Sequence, residues 1–461
     1  MDELIFTSAT TLAKTIRTRQ VSSLEVVDAY LARIEAVNPQ LNAVVQVTAE
    51  AARDQARAAD AALAREEVKG PLHGVPMTIK DSLDTAGVIS TGGTKGRQSY
   101  VPAQDATVVA RLRAAGAILL GKTNTPELTL SIETDNLIYG RTNNPYDPAL
   151  TPGGSSGGAA AIVAAGGSPL DCGTDTGGSI RQPAHFCGVA GIKPTSGRVP
   201  RTGHIISYDM GAMDMLTQVG PIARFVEDLM LTFPLIAGVD WRDPALVPMP
   251  LGNPRRAELK GLRLAFYTDN GVVSPTPETV DVVRTAAAML SNEDVSVDEN
   301  RPPEVEHAAG LWMELAVADG SAWVRRLLDE AGTTEVHPVL QKRFLEREAI
   351  SSAEFTQLLT RLDRVRSAMT SFLKKYEVII CPVNAYPAMS HETVFDKGIG
   401  WSYTRIYNLT GWPAVVVRGG TSPEGLPIGL QIVARPWRED LALAVAHYLE
   451  AALGGWQRPP L

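Results

Sequence analysis

Two adjacent serines framed by glycines, T-P-G-G-S-S-G-G at 151–158, are the first residues in this chain with chemistry in them. The pattern G-x-S-x-G is present, and on a strand-to-helix turn it would make Ser155 the nucleophile of an α/β-hydrolase esterase. That turn needs a strand directly before it, and N-N-P-Y-D-P-A-L-T-P at 143–152 is a poor strand, with prolines at 145, 148 and 152. A phosphate loop would need G-x-x-x-x-G-K-[ST], which is absent. A flexible linker would lack apolar residues. Here eleven of residues 151–194 are glycine, yet A-A-A-I-V-A-A and C-G-V-A-G-I run among them. A buried backbone that uses glycine for close approach and positive φ fits better. A second serine cluster, G-T-D-T-G-G-S-I-R at 173–181, places Ser179 24 residues beyond Ser155. Ser371-Phe372-Leu373-Lys374 matches S-x-x-K, but its partners S-D-N and K-T-G are missing.

Metal chemistry has no footing in the pattern. The seven histidines form no H-E-x-x-H, and Cys172, Cys187 and Cys381 form no C-x-x-C pair, so three buried reduced thiols are expected.

The elements that must position these serines read as alternating helices and strands. Ser22-Ser23-Leu24-Glu25 is a capping box opening a helix that Asn38-Pro39 should stop. A second, alanine-rich helix follows over 48–67 and should lie on the surface. G-V-P-M-T-I-K-D at 74–81 reads as a strand running into a loop. Asp105 is the expected N-cap of a helix ended by Gly116, with A-I-L-L-G-K as the strand behind it. Another α/β unit begins near 262–267. Residues 238–261 read as an extended surface connection, and 303–376 as a helical covering segment. The chain ends in a hairpin over 414–434 and a last helix. One α/β domain over 1–461 is the simplest account.

Composition excludes several functions. With 43 basic and 51 acidic residues the net charge is −8, which disfavours a nucleic-acid surface. No apolar run approaches the roughly 20 residues of a membrane span. The first residues carry no secretory pattern, so a cytoplasmic address is expected.

Three stretches taken together, G-V-P-M-T-I-K-D, P-G-G-S-S-G-G and G-T-D-T-G-G-S-I-R, resemble the amidase signature family. The likeness continues through G-K-T-N-T-P-E, Y-G-R-T-N-N-P-Y-D-P, F-C-G-V-A-G-I-K-P-T-S-G-R-V, V-G-P-I-A-R, N-L-T-G-W-P-A and G-L-P-I-G-L-Q-I-V, nearly the whole chain. It implies a large mixed β-sheet core covered by helices on both faces, with the signature core at about 70–225. It also implies a Ser-Ser-Lys triad: Ser179 as nucleophile, Ser155 as proton relay after a cis Gly154–Ser155 bond, and Lys80 as general base. Thr176, Gly177, Gly178 and Ser179 would supply oxyanion-hole amides. Gly154, Ser156, Asp175 and Arg181 would support the site. The loop about Thr129, Leu130, Ser131 and Ile132 would line the substrate pocket, while Trp312 and Met313 read as core.

The reaction implied is acyl transfer without metal or organic cofactor. It would act on a small-molecule amide, and on a carbamate or aryl ester as a side activity, in a monomer or homodimer. A lysine base demands burial, since its free pKa is near 10.4, and Asp81 next to it would oppose that shift if it faced the ammonium. The sequence is also similar to metagenomic amidases that act as urethanases. The alternative within the family is the glutaminase half of glutamyl-tRNA amidotransferase, its A component. Against it, D-M-L-T-Q-V-G-P at 214–221 stands where that component carries S-L-D-Q-I-G-P. The absence of an added C-terminal domain suits a free-standing enzyme, and that of an N-terminal anchor disfavours a membrane-bound lipid amidase.

Overall fold

A computed structural model describes residues 2–461, Asp2 by its backbone alone. Among them are eleven strands: β1 (Val44–Val47), β2 (Pro76–Lys80), β3 (Ile118–Thr123), β4 (Leu170–Asp175), β5 (Ala190–Lys193), β6 (Gln218–Ala223), β7 (Arg263–Phe266), β8 (Ser296–Glu299), β9 (Val378–Pro382), β10 (Ala414–Thr421) and β11 (Pro427–Ala434). Eight form a mixed sheet in the order β4-β6-β5-β10-β11-β9-β7-β8. Its ladders are antiparallel from β4 to β9 and parallel from β9 to β8.

Helices cover both faces of this sheet. Successive residues of a strand point to opposite faces. A Cβ at Gly429 would meet His185 of helix Arg181–Cys187, whereas Gly420, paired with the adjacent Ile428, faces Val282 of helix Pro277–Ser291. Helix Gly157–Ala164 packs with the first of these, and helices Val226–Ile236 and Glu439–Leu453 pack with the second group.

The strand that carries Lys80 belongs to a separate three-stranded sheet, β1-β3-β2. Side chains bridge it to β4: Ser168 Oγ accepts from the Thr78 amide at 3.1 Å, and Thr78 Oγ1 donates to Asp171 at 2.6 Å. All five residues of β2 and all six of β4 are buried, so the polar side chains among them, Thr78, Lys80, Asp171, Thr174 and Asp175, must find partners inside the protein.

Several boundaries also shift. The capping box at Ser22 and Glu25 is present, but its helix runs through Pro39 to Leu41. Asn38 sustains that last turn, its carbonyl accepting from Asn42 and its side chain from Ala43 and Val44. Ala106, not Asp105, precedes helix Thr107–Ala114. The Asp105 carboxylate instead accepts from the Ala86 amide and pairs with Arg113.

The 303–376 segment is helical as read, with helices Ala308–Val317, Ala322–Ala331 and Ser352–Phe372 and a wide π-type turn at Gln341–Leu345. It shares an apolar cluster with the sheet that includes Leu311, Trp312, Phe344, Tyr407 and Val433. The three cysteines are buried free thiols. Among the described residues no helix is long and apolar enough to cross a membrane.

Candidate active site

Lys80 ends β2 wholly buried, and its Nζ lies 2.7 Å from Ser155 Oγ, 2.9 Å from Ser156 Oγ and 2.8 Å from Thr174 Oγ1. Burial is the main influence on it and lowers its pKa to about 7, against the pull of Asp171, Asp175 and Cys172. Asp81 is turned elsewhere. Its carboxylate accepts from the Thr91 amide and hydroxyl, and the lysine whose charge it feels is Lys122.

Three hydroxyls around one amine constrain the protons. A neutral amine offers two N–H donors and one lone pair. The Ser156 hydroxyl donates to the Thr174 carbonyl at 3.2 Å, so toward Nζ it acts as acceptor. That leaves one N–H and the lone pair for the Ser155 and Thr174 hydroxyls, so one of these two gives its proton to the lone pair.

Ser155 follows a cis Gly154–Ser155 bond. Gly154 is there for space: a Cβ would sit 2.8–3.0 Å from the backbone of Ser131, Ile132 and Glu133. The Ser156 amide donates to the Ser179 carbonyl at 3.2 Å, which ties the two serine clusters together. Ser179 itself is half-buried and faces a cavity.

The turn carrying Ser179 is held by Asp175. Its carboxylate accepts from the amides of Gly178 (2.8 Å) and Ile180 (3.1 Å) and pairs in bidentate fashion with Arg181, Nη2 at 2.9 Å and Nε at 3.0 Å. Both residues are fully buried. Burial opposes the Asp175 charge, but Arg181, Asn408 and Lys193 outweigh it and hold the carboxyl far below its usual range. Arg181 reaches on to Thr404, Gln431 and Asn408. The ion pair and the bracing of the turn are thus one arrangement.

Gly178 adopts φ +128°, and a Cβ there would lie 2.4 Å from Thr404 Oγ1. Because its amide is committed to Asp175, it is not available as an oxyanion donor in this structure. The amides of Thr176, Gly177 and Ser179 have no protein acceptor among the described residues.

The cavity beside Ser179 is lined by Thr129, Leu130, Ser131 and Ile132, with Thr176 and Gly177 at its floor. The loop is locally strained: Leu128 and Thr129 both have positive φ, 50° and 60°. Larger hollows lack the serines. The groove of about 1060 Å³ between helices Ser23–Leu41 and Ala49–Ala64 is walled by Leu31, Glu35, Val47 and Arg53. The esterase alternative is overturned here. No strand directly precedes Ser155, which is 1% exposed and bonded to Lys80 rather than to a histidine.

Residues 25–443 match the Amidase family model. The chain belongs to the amidase family. The A component of the glutamyl-tRNA(Gln) amidotransferase of Roseiflexus sp. (strain RS-1) is 36% identical over 455 residues, 92% of each chain. Human fatty-acid amide hydrolase 2 is 32% identical over 493 residues, 99% of this chain and 91% of that one. A bacterial aryl acylamidase of the amidase signature enzymes superposes with a TM-score of 0.88 at 27% identity, over 97% of this chain and 96% of that one.

In this amidase the structure adds site residues that sequence reasoning passed over. Thr174, within the G-T-D-T-G-G-S stretch, completes the lysine's hydroxyl cage, and Asn408 opens N-L-T-G-W-P-A. Trp312, read as core, lines the cavity and donates from Nε1 to the Thr176 carbonyl at 2.8 Å. Nothing in the sequence pattern marks Arg343 or Arg405, which line the same cavity.

Proposed function

We propose that this amidase hydrolyses linear amides through an acyl-enzyme on Ser179, with Ser155 as relay and Lys80 as base. The observation that carries this is the Lys80–Ser155 contact of 2.7 Å by a buried lysine whose pKa is lowered to about 7. At neutral pH a substantial fraction of such a lysine is a free amine, as a base requires.

As Ser179 Oγ attacks the carbonyl carbon, its proton passes to Ser155 Oγ, and the proton of Ser155 passes to Lys80 Nζ. The C–O bond forms and the carbonyl π pair becomes the oxyanion. The amides of Thr176, Gly177 and Ser179 are its donors, each worth about 3–4 kcal/mol in comparable sites. The oxyanion collapses, the C–N bond breaks, and Lys80 returns a proton through Ser155 to the departing nitrogen. Water then attacks the ester by the same relay, releasing the acid and restoring the three residues. Carbamates and aryl esters fit this chemistry as further substrates, since both present an acyl carbon with a heteroatom leaving group. The likeness to fatty-acid amide hydrolase 2 and an aryl acylamidase supports the amide assignment.

Peptide mapping after brief exposure to a fluorophosphonate tests the reading. The expected result is one adduct on Ser179, lost in Lys80→Ala. An adduct on Ser155 would refute the assigned roles.

A second reading, glutaminase action as the A component of a glutamyl-tRNA amidotransferase, is favoured by relatives of that name at 36% identity. Turnover of a simple anilide by the isolated chain, with no ammonia released from glutamine, would exclude it.

A further inference from the structure

Behind the cavity loop lies a buried charged pair that the hydrolytic chemistry leaves unused. Glu133 follows Ser131 and Ile132, which line the cavity, and His391 sits on the connection between β9 and helix Ser402–Leu409. His391 Nδ1 is 3.3 Å from Glu133 Oε1, and both side chains are 6% exposed. Among the described residues His391 is the one basic side chain within ion-pair reach of Glu133. Neither of its ring nitrogens nor Glu133 Oε2 has a hydrogen-bond partner there. The charged neighbours of His391 on its own loop, Glu392, Asp396 and Lys397, are exposed.

From Glu133 a short line of contacts runs to the relay serine. Thr151 Oγ1 donates to Glu133 Oε1 at 3.1 Å, and the same hydroxyl oxygen accepts from the Gly153 amide at 2.9 Å. Gly153 stands two residues before Ser155. Its carbonyl accepts from Thr134 Oγ1 at 2.8 Å, one residue beyond Glu133. The His391 loop is tied to the same backbone, since the Thr151 amide donates to the Met389 carbonyl at 2.9 Å. A buried carboxylate costs folding free energy unless hydrogen bonds and a countercharge compensate it. Here Thr151 supplies the hydrogen bond and His391 is placed to supply the charge, and both are joined to the stretch that leads into Ser155.

We propose that Glu133, Thr151 and His391 are positioning residues for the relay. His391 holds the Glu133 carboxylate, Glu133 holds the Thr151 hydroxyl, and that hydroxyl fixes the Gly153 amide and with it the reach of Ser155 Oγ to Lys80 Nζ. That reach is 2.7 Å. Lys80 is set by the end of β2, so any play in residues 153–155 falls on this one contact. A displacement of about 1 Å in a catalytic contact can cost about a hundredfold in rate. This inference rests on the acyl-enzyme reading given above, with Ser155 as relay.

The rate of Ser179 labelling by a fluorophosphonate tests it, since that reaction needs the relay but no particular substrate. The rate is resolved into its maximum and the half-saturating reagent concentration. Thr151→Val removes the hydroxyl with little change of shape. It should lower the maximal rate more than about tenfold, the scale of one hydrogen bond to a charged group, and move half-saturation less than about threefold. Thr151→Ser keeps the hydroxyl and should restore most of the rate. Glu133→Gln and His391→Gln should each slow labelling, and neither should slow it further in Thr151→Val, because both act through that hydroxyl. Circular dichroism at the assay temperature puts every rate on a folded-protein basis. Should Thr151→Val fail to fold, the Glu133→Gln, His391→Gln double variant carries the test, and it must be no slower than Glu133→Gln alone. A Thr151→Val maximum within about twofold of the unmodified enzyme, an equal loss in Thr151→Ser, or losses that add in the double variants would overturn the proposal. A change confined to half-saturation would overturn it too, by assigning the pair to the cavity wall. Lys80→Ala and Ser155→Ala isolate the reading beneath: if both label at the unmodified rate, or Ser179 is not labelled at all, the relay itself fails.

Discussion

Lys80 and Asp171 share a buried space in which each disturbs the other's charge. Asp171 is fully buried and accepts from Thr78 and Thr123 through one oxygen, while its other oxygen has no partner among the described residues. Burial raises its pKa to about 6, against the influence of Lys80 and Lys122. An ionised Asp171 favours the Lys80 ammonium, while burial favours the neutral amine. Two consequences follow in opposite directions. Catalysis needs neutral Lys80, so kcat/KM on an amide should rise with pH through about 7. Ionised Asp171 favours the ammonium, so Asp171→Asn should move that limb to lower pH. The other charged or titratable groups around the lysine, Cys172, Asp175 and Lys122 among them, and neutral His204, remain in place in that variant. A pH profile from 5 to 9 decides the matter, and an unmoved limb would remove Asp171 from the site's electrostatics.

The turn Asp175–Arg181 shows what one element can reveal in sequence and what it cannot. Its glycines, serine, acid and base lie within nine residues of G-T-D-T-G-G-S-I-R, so their proximity is local and readable. What holds them is not local: Thr404 and Asn408 are 223 and 227 residues from Arg181, and no periodicity points to them. The same contrast separates Ser155 and Ser156 from the Lys80 strand, which lies in a sheet of its own. Arg181→Met would leave Asp175 buried and unpaired, and should cost about 3–5 kcal/mol of stability, the range for breaking a buried pair from one side. Thermal unfolding should record that as a lowered Tm. Gly154→Ala should be at least as disruptive, because the added Cβ meets the 131–133 backbone rather than a movable side chain. A soluble, active Gly154→Ala protein would show that this loop yields more easily than its packing implies.

At the scale of the molecule, the site forms where three bodies meet: the small sheet brings Lys80, the large sheet brings Ser179, and the 303–376 segment closes the cavity. The segment's helical character was legible from its periodicity, but its role was not, since Trp312 reaches Thr176 across 136 residues of sequence. The hollow beside Ser179 is narrow, about 40 Å³. The bulk of its wall residues therefore bears on which substituents fit beside the scissile amide. Phe344 is one such wall residue. It lies on the π-type turn between helices, buried, with its ring edge-on to Trp323 at 6.4 Å between centroids. Phe344→Ala should therefore widen the cavity at a cost of about 3–5 kcal/mol in stability. Its kcat/KM for a naphthyl amide relative to acetanilide should rise about tenfold, the discrimination that a methylene or so of pocket space provides. The ratio, measured at a temperature where both proteins are folded, separates pocket size from stability. If it stays unchanged while Tm falls, substrate enters past the Thr129–Ile132 loop instead, and the helical segment serves as a fixed wall.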